Sequence, residues 1–455
     1  GNTYMIVETL EGLAAQLQSG KTTSRDLTEA CLARIEDEAG EGVRAFVSTD
    51  PEGAIATADF MDARRSAGRA LSPYAGIPIS LKDLFDVAGE VTAAGSTILR
   101  SSEPVTTDAT CVARLRAAGF VFVGRTNMTE FAYSGVGINP HYGTPKSVWD
   151  RAQGRIPGGS SSGAAVSVAD GMAFMGLGTD TGGSCRIPAA FNSITGYKSS
   201  TGRVPRDGVF PLSDTLDTVG PVANSVQCCS TIDAMMAGDR TGRLLARDPA
   251  TLRFGILQHV AMDAMDPEVA TAFDAAVKSL GEAGVVFSEV PFPDLTELPS
   301  LNAKGGVSAA EAMDVHADML ERHGDEYHHM VRTRILSGLN VTGPELVAIY
   351  RRRKEMIAKF ARLCCGLDGF VLPTVPILPP LISEVERDDR YGPLNFLCLR
   401  NTFLGNFLDG CAISVPMTAR GEAPAGLMIM RLHGQDTELF NAAASVEAIL
   451  KKALL

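Results

Sequence analysis

Long hydrophobic runs are missing from this 455-residue chain. No apolar stretch approaches the ~20 residues that span a bilayer, and the first residues lack the basic start and apolar stretch of a secretory leader. No membrane partner is expected. An excess of positive charge is missing too. Lys and Arg number 41 against 53 Asp and Glu, a formal net charge of −12, which argues against direct nucleic-acid binding unless basic residues cluster. The densest basic run, "RRRK" at Arg351 to Lys354, lies in a helical pattern with Glu355 following and reads as a solvated helix face. The nine cysteines lie in apolar segments such as those around Cys228 and Cys364, without C-x-x-C spacing. That excludes a disulfide scaffold and fits reduced, buried thiols in a cytoplasmic protein. There is no HExxH and no Cys/His cluster, so no metal site is expected, and "HH" at His328 reads as a wet helix face.

What is present is a large aliphatic core. Aromatics make up 6% of residues, but hydrophobic residues as a whole reach 45% against 21% charged, which excludes a disordered chain. Residues 1–70 read as amphipathic helices; "TSRDLTEACLARIEDEAG" sets Leu27, Cys31, Leu32 and Ile35 at helical spacing and stops at Gly40. "AGIPISLKDLF" then changes period, with Ile77, Ile79 and Leu81 alternating against Pro78, Ser80 and Lys82. Lys82 therefore faces away from the aliphatic side. A helix begun by Asp108 and stopped at Gly119 precedes a short strand over 120–123, and helix–strand alternation continues through "SSSGAAVSVADGMAFMGLGTD", "LRFGILQ" and "VVFSEV". Such alternation predicts an α/β fold with a sheet covered on both faces. A helical, more charged excursion is expected over about 300–365, and without repeats or Pro-rich linkers the chain reads as one domain, 1–455.

The glycine-rich loops admit several chemistries. "GKT" at Gly20 to Thr22 has Ala15 where a phosphate-binding loop needs glycine, and "GLGTDT" has Thr181 where a dinucleotide fingerprint needs one. No cofactor is expected. "GSSSG", Gly159 to Gly163, satisfies G-x-S-x-G, which makes Ser161 a candidate nucleophile of an α/β-hydrolase elbow. That elbow leaves a strand, however, whereas "RAQGRIPG" reads as loop, and none of the seven histidines stands in a loop with an orienting acid.

What remains is a combination: Lys82 ending a strand, a Gly-Gly-Ser-Ser-Ser-Gly loop opening a helix, and "TDTGGSCRIPAA" (Thr179 to Ala190) closing the next strand. With "GIPISLKDLFDVAG", "VGRTNMTEFAYSG", "PGGSSSGAAVSVADG", "GLGTDTGGSCRIPA", "GYKSSTGRVP", "DTVGPVA" and "LPTVP" in order along the chain, it resembles the amidase signature family, serine hydrolases with a Ser, cis-Ser, Lys triad. The resemblance implies that family's fold, a large central mixed β-sheet with helices on both faces. It puts the nucleophile on Ser184, the lysine on Lys82 and the bridging serine on Ser160, 24 residues before Ser184 as is usual in the family, after a cis Gly159–Ser160 peptide. Cys185 departs from the pattern, since an aliphatic residue is usual there, and reads as packing.

The residue types fit the chemistry the resemblance implies. A lysine serves as base if burial lowers its pKa from about 10.4 toward neutrality. Backbone N–H groups of Thr181, Gly182, Gly183 and Ser184 are placed to hold an oxyanion in a turn whose glycines leave it free of side chains. Asp180 and Arg186 flank the turn as an expected ion pair. Substrate would lie against Tyr133 and Ser134, with "NTFLGNFLDG" (Asn401 to Gly410) and the helical excursion near the mouth. Aromatic and aliphatic residues there point to an apolar acyl group, although Phe403 and Phe407 fit a core role equally well. The resemblance implies hydrolysis of a carbon–nitrogen bond in a small amide to carboxylate and ammonia or amine, through an acyl-enzyme on Ser184. It also extends to the glutaminase component of tRNA-dependent amidotransferases, which works with partner subunits. A homodimer is left open.

Overall fold

The computed structural model describes residues 8–239 and 242–455; the first seven residues of the expected N-terminal helical stretch lie outside the described residues. Aliphatic segments flanked by helices form one eleven-stranded sheet. Its strands are β1 (Phe46–Thr49), β2 (Pro78–Lys82), β3 (Val121–Thr126), β4 (Met175–Thr179), β5 (Thr195–Lys198), β6 (Val219–Ala223), β7 (Arg253–Leu257), β8 (Val286–Val290), β9 (Phe370–Pro373), β10 (Cys411–Pro416) and β11 (Gly426–Arg431). The order across the sheet is β1-β3-β2-β4-β6-β5-β10-β11-β9-β7-β8. β2 runs parallel to β3 and β4, and β7 parallel to β8 and β9, while the other neighbours are antiparallel. The sheet is therefore mixed, and β2, β4, β5 and β6 are buried along their whole length, as strands covered on both faces must be.

The alternation read in β2 is realised. Ile79 and Leu81 enter the aliphatic core, while Ser80 faces the helix Ser162–Ala169 and meets Ser167 through hydroxyls 2.9 Å apart. All eight residues of that short helix are buried, so small side chains rather than an amphipathic stripe set its packing.

Several segments differ from their sequence reading. The stretch expected to be wholly helical is interrupted by β1, which adds an antiparallel edge to β3. β6 is hidden from a propensity reading by Gly220 and Pro221, yet pairs them with Gly178 and Leu177. A side chain at Gly220 would stand 2.2 Å from the Tyr197 carbonyl oxygen, so close strand packing selects glycine there. Asp108 does not begin its helix, which runs Thr110–Ala117. It accepts from Ala88 N–H, and Asp207 binds the N–H of Thr110 instead. Within the helix Gly343–Leu363, Arg351 and Lys354 are exposed, but Arg352 pairs with Asp294 and Glu297, and Arg353 donates to the Phe407 carbonyl. The basic run is thus partly a docking face. The excursion consists of that helix together with Gly306–His323 and His329–Leu336. Among the described residues no helix is long and apolar enough to cross a membrane.

Candidate active site

Three parallel strands, β3, β2 and β4, end at one edge of the sheet, where the loops that follow them converge, a usual place for a site in α/β folds. Lys82 is the last residue of β2 and Thr179 the last of β4. Lys82 is fully buried and has no carboxylate in ion-pair contact among the described residues. Its Nζ lies 2.7 Å from Ser160 Oγ, 2.9 Å from Ser161 Oγ and 2.7 Å from Thr179 Oγ1. Loss of water penalises the ammonium form and pushes Lys82 down to about 7, outweighing the more remote negative charges of Asp180 and Asp217.

The loop after β4 forms the second wall. Asp180 and Arg186 are completely buried and paired, with Nε and a terminal nitrogen 3.0 and 2.9 Å from the two carboxylate oxygens. Burial opposes ionisation of Asp180, but Arg186, aided by a 3.0 Å hydrogen bond from Asn406, holds it at about 2. Asp180 also accepts from the N–H of Cys185, which pins the turn between them. Gly183 has φ +138°, and a Cβ there would sit 2.1 Å from Thr402 Oγ1. Thr402 Oγ1 in turn donates to the Gly182 carbonyl at 2.7 Å. With the carbonyls so engaged, the N–H groups of Thr181, Gly182, Gly183 and Ser184 have no acceptor among the described residues. Four successive backbone donors on one tight turn are thus left without protein partners.

The two loops are tied by Ser161 N–H, which donates to the Ser184 carbonyl at 3.2 Å. The Gly159–Ser160 peptide is cis. Ser160 and Ser161 are fully buried, whereas Ser184 opens onto a cavity of about 420 Å³ together with Tyr133, Ser134 and Gly182. Ser134 Oγ and Gly135 N–H both reach Asn395 Oδ1, at 3.2 and 2.7 Å. Of the other turn residues, neither Thr181 nor Gly183 is among those lining the cavity: the Thr181 hydroxyl donates to Asp217 at 2.6 Å and Gly183 packs on Thr402, while their backbone N–H groups stay on the turn. Ser162 contacts the Asn127 carbonyl, away from Lys82. Phe403 lines the cavity and Phe407 is in the core. Among the described residues no carboxylate or imidazole lines the cavity, so its wall offers no metal-ligand set.

Cys185 is fully buried against the Gly220 carbonyl, and burial pushes its thiol well up. Ser161 has no histidine partner among the described residues: its Oγ donates to the Thr179 carbonyl. It also leaves a loop rather than a strand. Sequence reasoning missed Thr179, Asn395, Thr402 and Asn406 as supports of these loops. Residues so distant in the chain meet only through folding, and nothing in their local sequence signals it.

The match to known proteins runs along nearly the whole chain. A family model described as Amidase covers residues 26–440. The chain is 33% identical over 453 residues to 2-amino-5-chloromuconic acid deaminase of Comamonas testosteroni, covering 96% of this chain and 95% of that protein. It is 41% identical over 489 residues to a glutamyl-tRNA(Gln) amidotransferase subunit of Ralstonia nicotianae, covering 96% and 97%. A crystal structure of an amidase superposes with a TM-score of 0.87 at 30% identity, covering 97% of this chain and 99% of the other. With its mixed sheet, its serine-rich loops and this breadth of similarity, the chain belongs to the amidase family and is a hydrolase of carbon–nitrogen bonds.

Proposed function

We propose that this amidase cleaves a small amide through an acyl-enzyme on Ser184, with Ser160 relaying protons to and from Lys82. The observation that carries the proposal is Lys82, buried without a carboxylate, pushed down to about 7 and 2.7 Å from Ser160 Oγ. A neutral amine accepts a proton; an ammonium does not. Ser184 Oγ gives its proton to Ser160 Oγ as Ser160 gives its own to Lys82 Nζ, and the freed Oγ attacks the amide carbon. The carbonyl oxygen, now negative, is held by the unpartnered N–H groups of residues 181–184, each such donor contributing about 3–4 kcal/mol where tested. Lys82 returns the proton through Ser160 to the departing nitrogen, the C–N bond breaks, and ammonia or an amine leaves. Water then follows the same relay in reverse roles and releases the carboxylate.

The eleven-stranded sheet running from β1 to β8 supports one catalytic domain over 1–455, and nine cysteines without a disulfide support a reducing, cytoplasmic setting. A fluorophosphonate probe, mapped by mass spectrometry, and a panel of small amides assayed on the purified chain test the proposal. Labelling of Ser184 with turnover is expected; labelling of Ser161 in its place overturns the assignment. The 41% identity to an amidotransferase component favours one second reading, a glutaminase dependent on partner subunits. That reading requires the isolated chain to hydrolyse glutamine poorly and the rate to rise when partners are added.

A further inference from the structure

Among the described residues, Arg334 and Arg400 are the only charged side chains on the wall of the 420 Å³ cavity. Both are positive. In a chain with more acids than bases, arginines elsewhere are commonly matched, as Arg186 is with Asp180, Arg203 with Asp233 and Arg352 with Asp294. These two are not. The side chain of Arg334, on the helix His329–Leu336, makes neither a hydrogen bond nor an ion pair among the described residues. Its Nε is buried without a partner. Its guanidinium carbon sits 4.5 Å from the ring centroid of Tyr133, itself a cavity wall residue. Arg400 donates from Nε to Asn401 Oδ1 at 3.1 Å and from a terminal nitrogen to the Ala261 carbonyl at 3.4 Å, with no carboxylate in contact.

A guanidinium partly removed from water and left without a protein acceptor is costly unless something in the cavity accepts from it. The Arg334 guanidinium stands over the Tyr133 ring, and the partner that matches a planar fork of donors is a planar anion with two acceptors. We propose that the amide substrate carries a carboxylate, which Arg334 binds bidentately while Arg400 makes the potential of the same cavity more positive. The apolar acyl group expected from the sequence is thereby revised. Leu399 and Phe403 contact the body of the substrate, and its far end is charged. The proposal rests on the cavity being the substrate site of the Ser184 reaction.

The test uses two pairs of amides that differ only in exchanging a carboxylate for the neutral, isosteric nitro group: succinamate with 3-nitropropanamide, and 4-carbamoylbenzoate with 4-nitrobenzamide. The readout is the ratio of kcat/KM within each pair, with calorimetric binding of both members measured alongside. The wild-type chain is expected to favour the carboxylate by about tenfold or more. Arg334→Gln should shrink that ratio by a factor on the order of 10 to 100, the range for losing a charge-assisted hydrogen-bond pair, mainly through KM. Arg334→Lys, which keeps the charge and loses the fork, should recover part of it and serves in place of the glutamine variant if that one does not fold. A wild-type ratio of one or less, or an unchanged ratio and unchanged binding preference in the folded variants, overturns the proposal. Turnover of the nitro amides without preference defeats this inference alone, whereas absence of all turnover together with absence of Ser184 labelling defeats the catalytic reading, and the binding preference still decides this one.

Discussion

Lys82 Nζ and Ser160 Oγ stand 2.7 Å apart in a pocket of hydroxyls, with no carboxylate in contact among the described residues. The pair determines how activity should respond to pH. With Lys82 at about 7, the amine is occupied by a proton below that value and free above it. For the free enzyme kcat/KM should rise with pH through one apparent pKa near 7 and then level off. Lys82→Met should remove the limb and nearly all the rate, and Lys82→Arg should fail as well, because guanidinium stays protonated. A substantially active Lys82→Arg protein, free of wild-type contamination by mass, would contradict the lysine base.

Ser184 and Cys185 are adjacent yet differently placed, one on the cavity and one under it. Ser184→Ala should lose both turnover and fluorophosphonate labelling. Cys185→Ala should retain most of the activity while melting at a lower temperature, since it removes a buried sulfur that fills space beside Gly220. Side-by-side rate and melting measurements separate the two roles.

The three serines of the 160–162 loop should rank by their relation to Lys82. Ser160→Ala is expected to reduce kcat by several orders of magnitude with little change in KM. Ser161→Ala removes one of three oxygens around Nζ and should fall between, and Ser162→Ala, whose hydroxyl meets only the Asn127 carbonyl, should be near wild type. A dead Ser161→Ala with a healthy Ser160→Ala would reverse the order and the relay with it.

Gly183→Ala tests the turn itself. The new Cβ would meet Thr402 Oγ1 at 2.1 Å at a φ that side chains rarely adopt, a backbone strain worth about 1–3 kcal/mol before any overlap is counted. The turn should shift to relieve it and misalign the N–H groups of residues 181–184. The expected result is a large drop in kcat with a smaller drop in urea midpoint; full activity would show that the turn's conformation is not required.

Arg186→Met should be costly to stability. It leaves Asp180 charged and buried with Asn406 as its remaining side-chain donor, and removing one partner of a fully buried pair costs about 3–5 kcal/mol. Exchanging both residues for apolar ones should cost less than the single change, and chemical denaturation of the single and double variants measures the difference.

Much of the frame was written in local pattern. The alternation of Ile77, Ile79 and Leu81 against Ser80 and Lys82 depends on a strand's two-residue period, which needs no tertiary information. The order of motifs from Lys82 through the serine-rich loop to the Gly-Gly-Ser turn identified the family for the same reason, as the motifs are contiguous in sequence. β1 and β6 were not legible, because an edge strand of four residues and a strand holding Gly220 and Pro221 carry no propensity signal, and pairing with β3 and β4 is what makes them strands.

By itself the sequence determined that Lys82 ends a strand, that the serine-rich loop opens a helix and that the Gly-Gly-Ser turn follows the next strand, since period and glycine act over a few neighbours. Only the tertiary structure decided that Thr179 and Ser161 would share Lys82 with Ser160, that Asn406 and Thr402 would brace a turn more than 200 residues earlier in the chain, and that Arg334 would reach the cavity without an acid beside it. Those outcomes depend on how much water each group loses and on which distant groups replace it, and burial of that kind is a property of the packed sheet and its helices rather than of any segment.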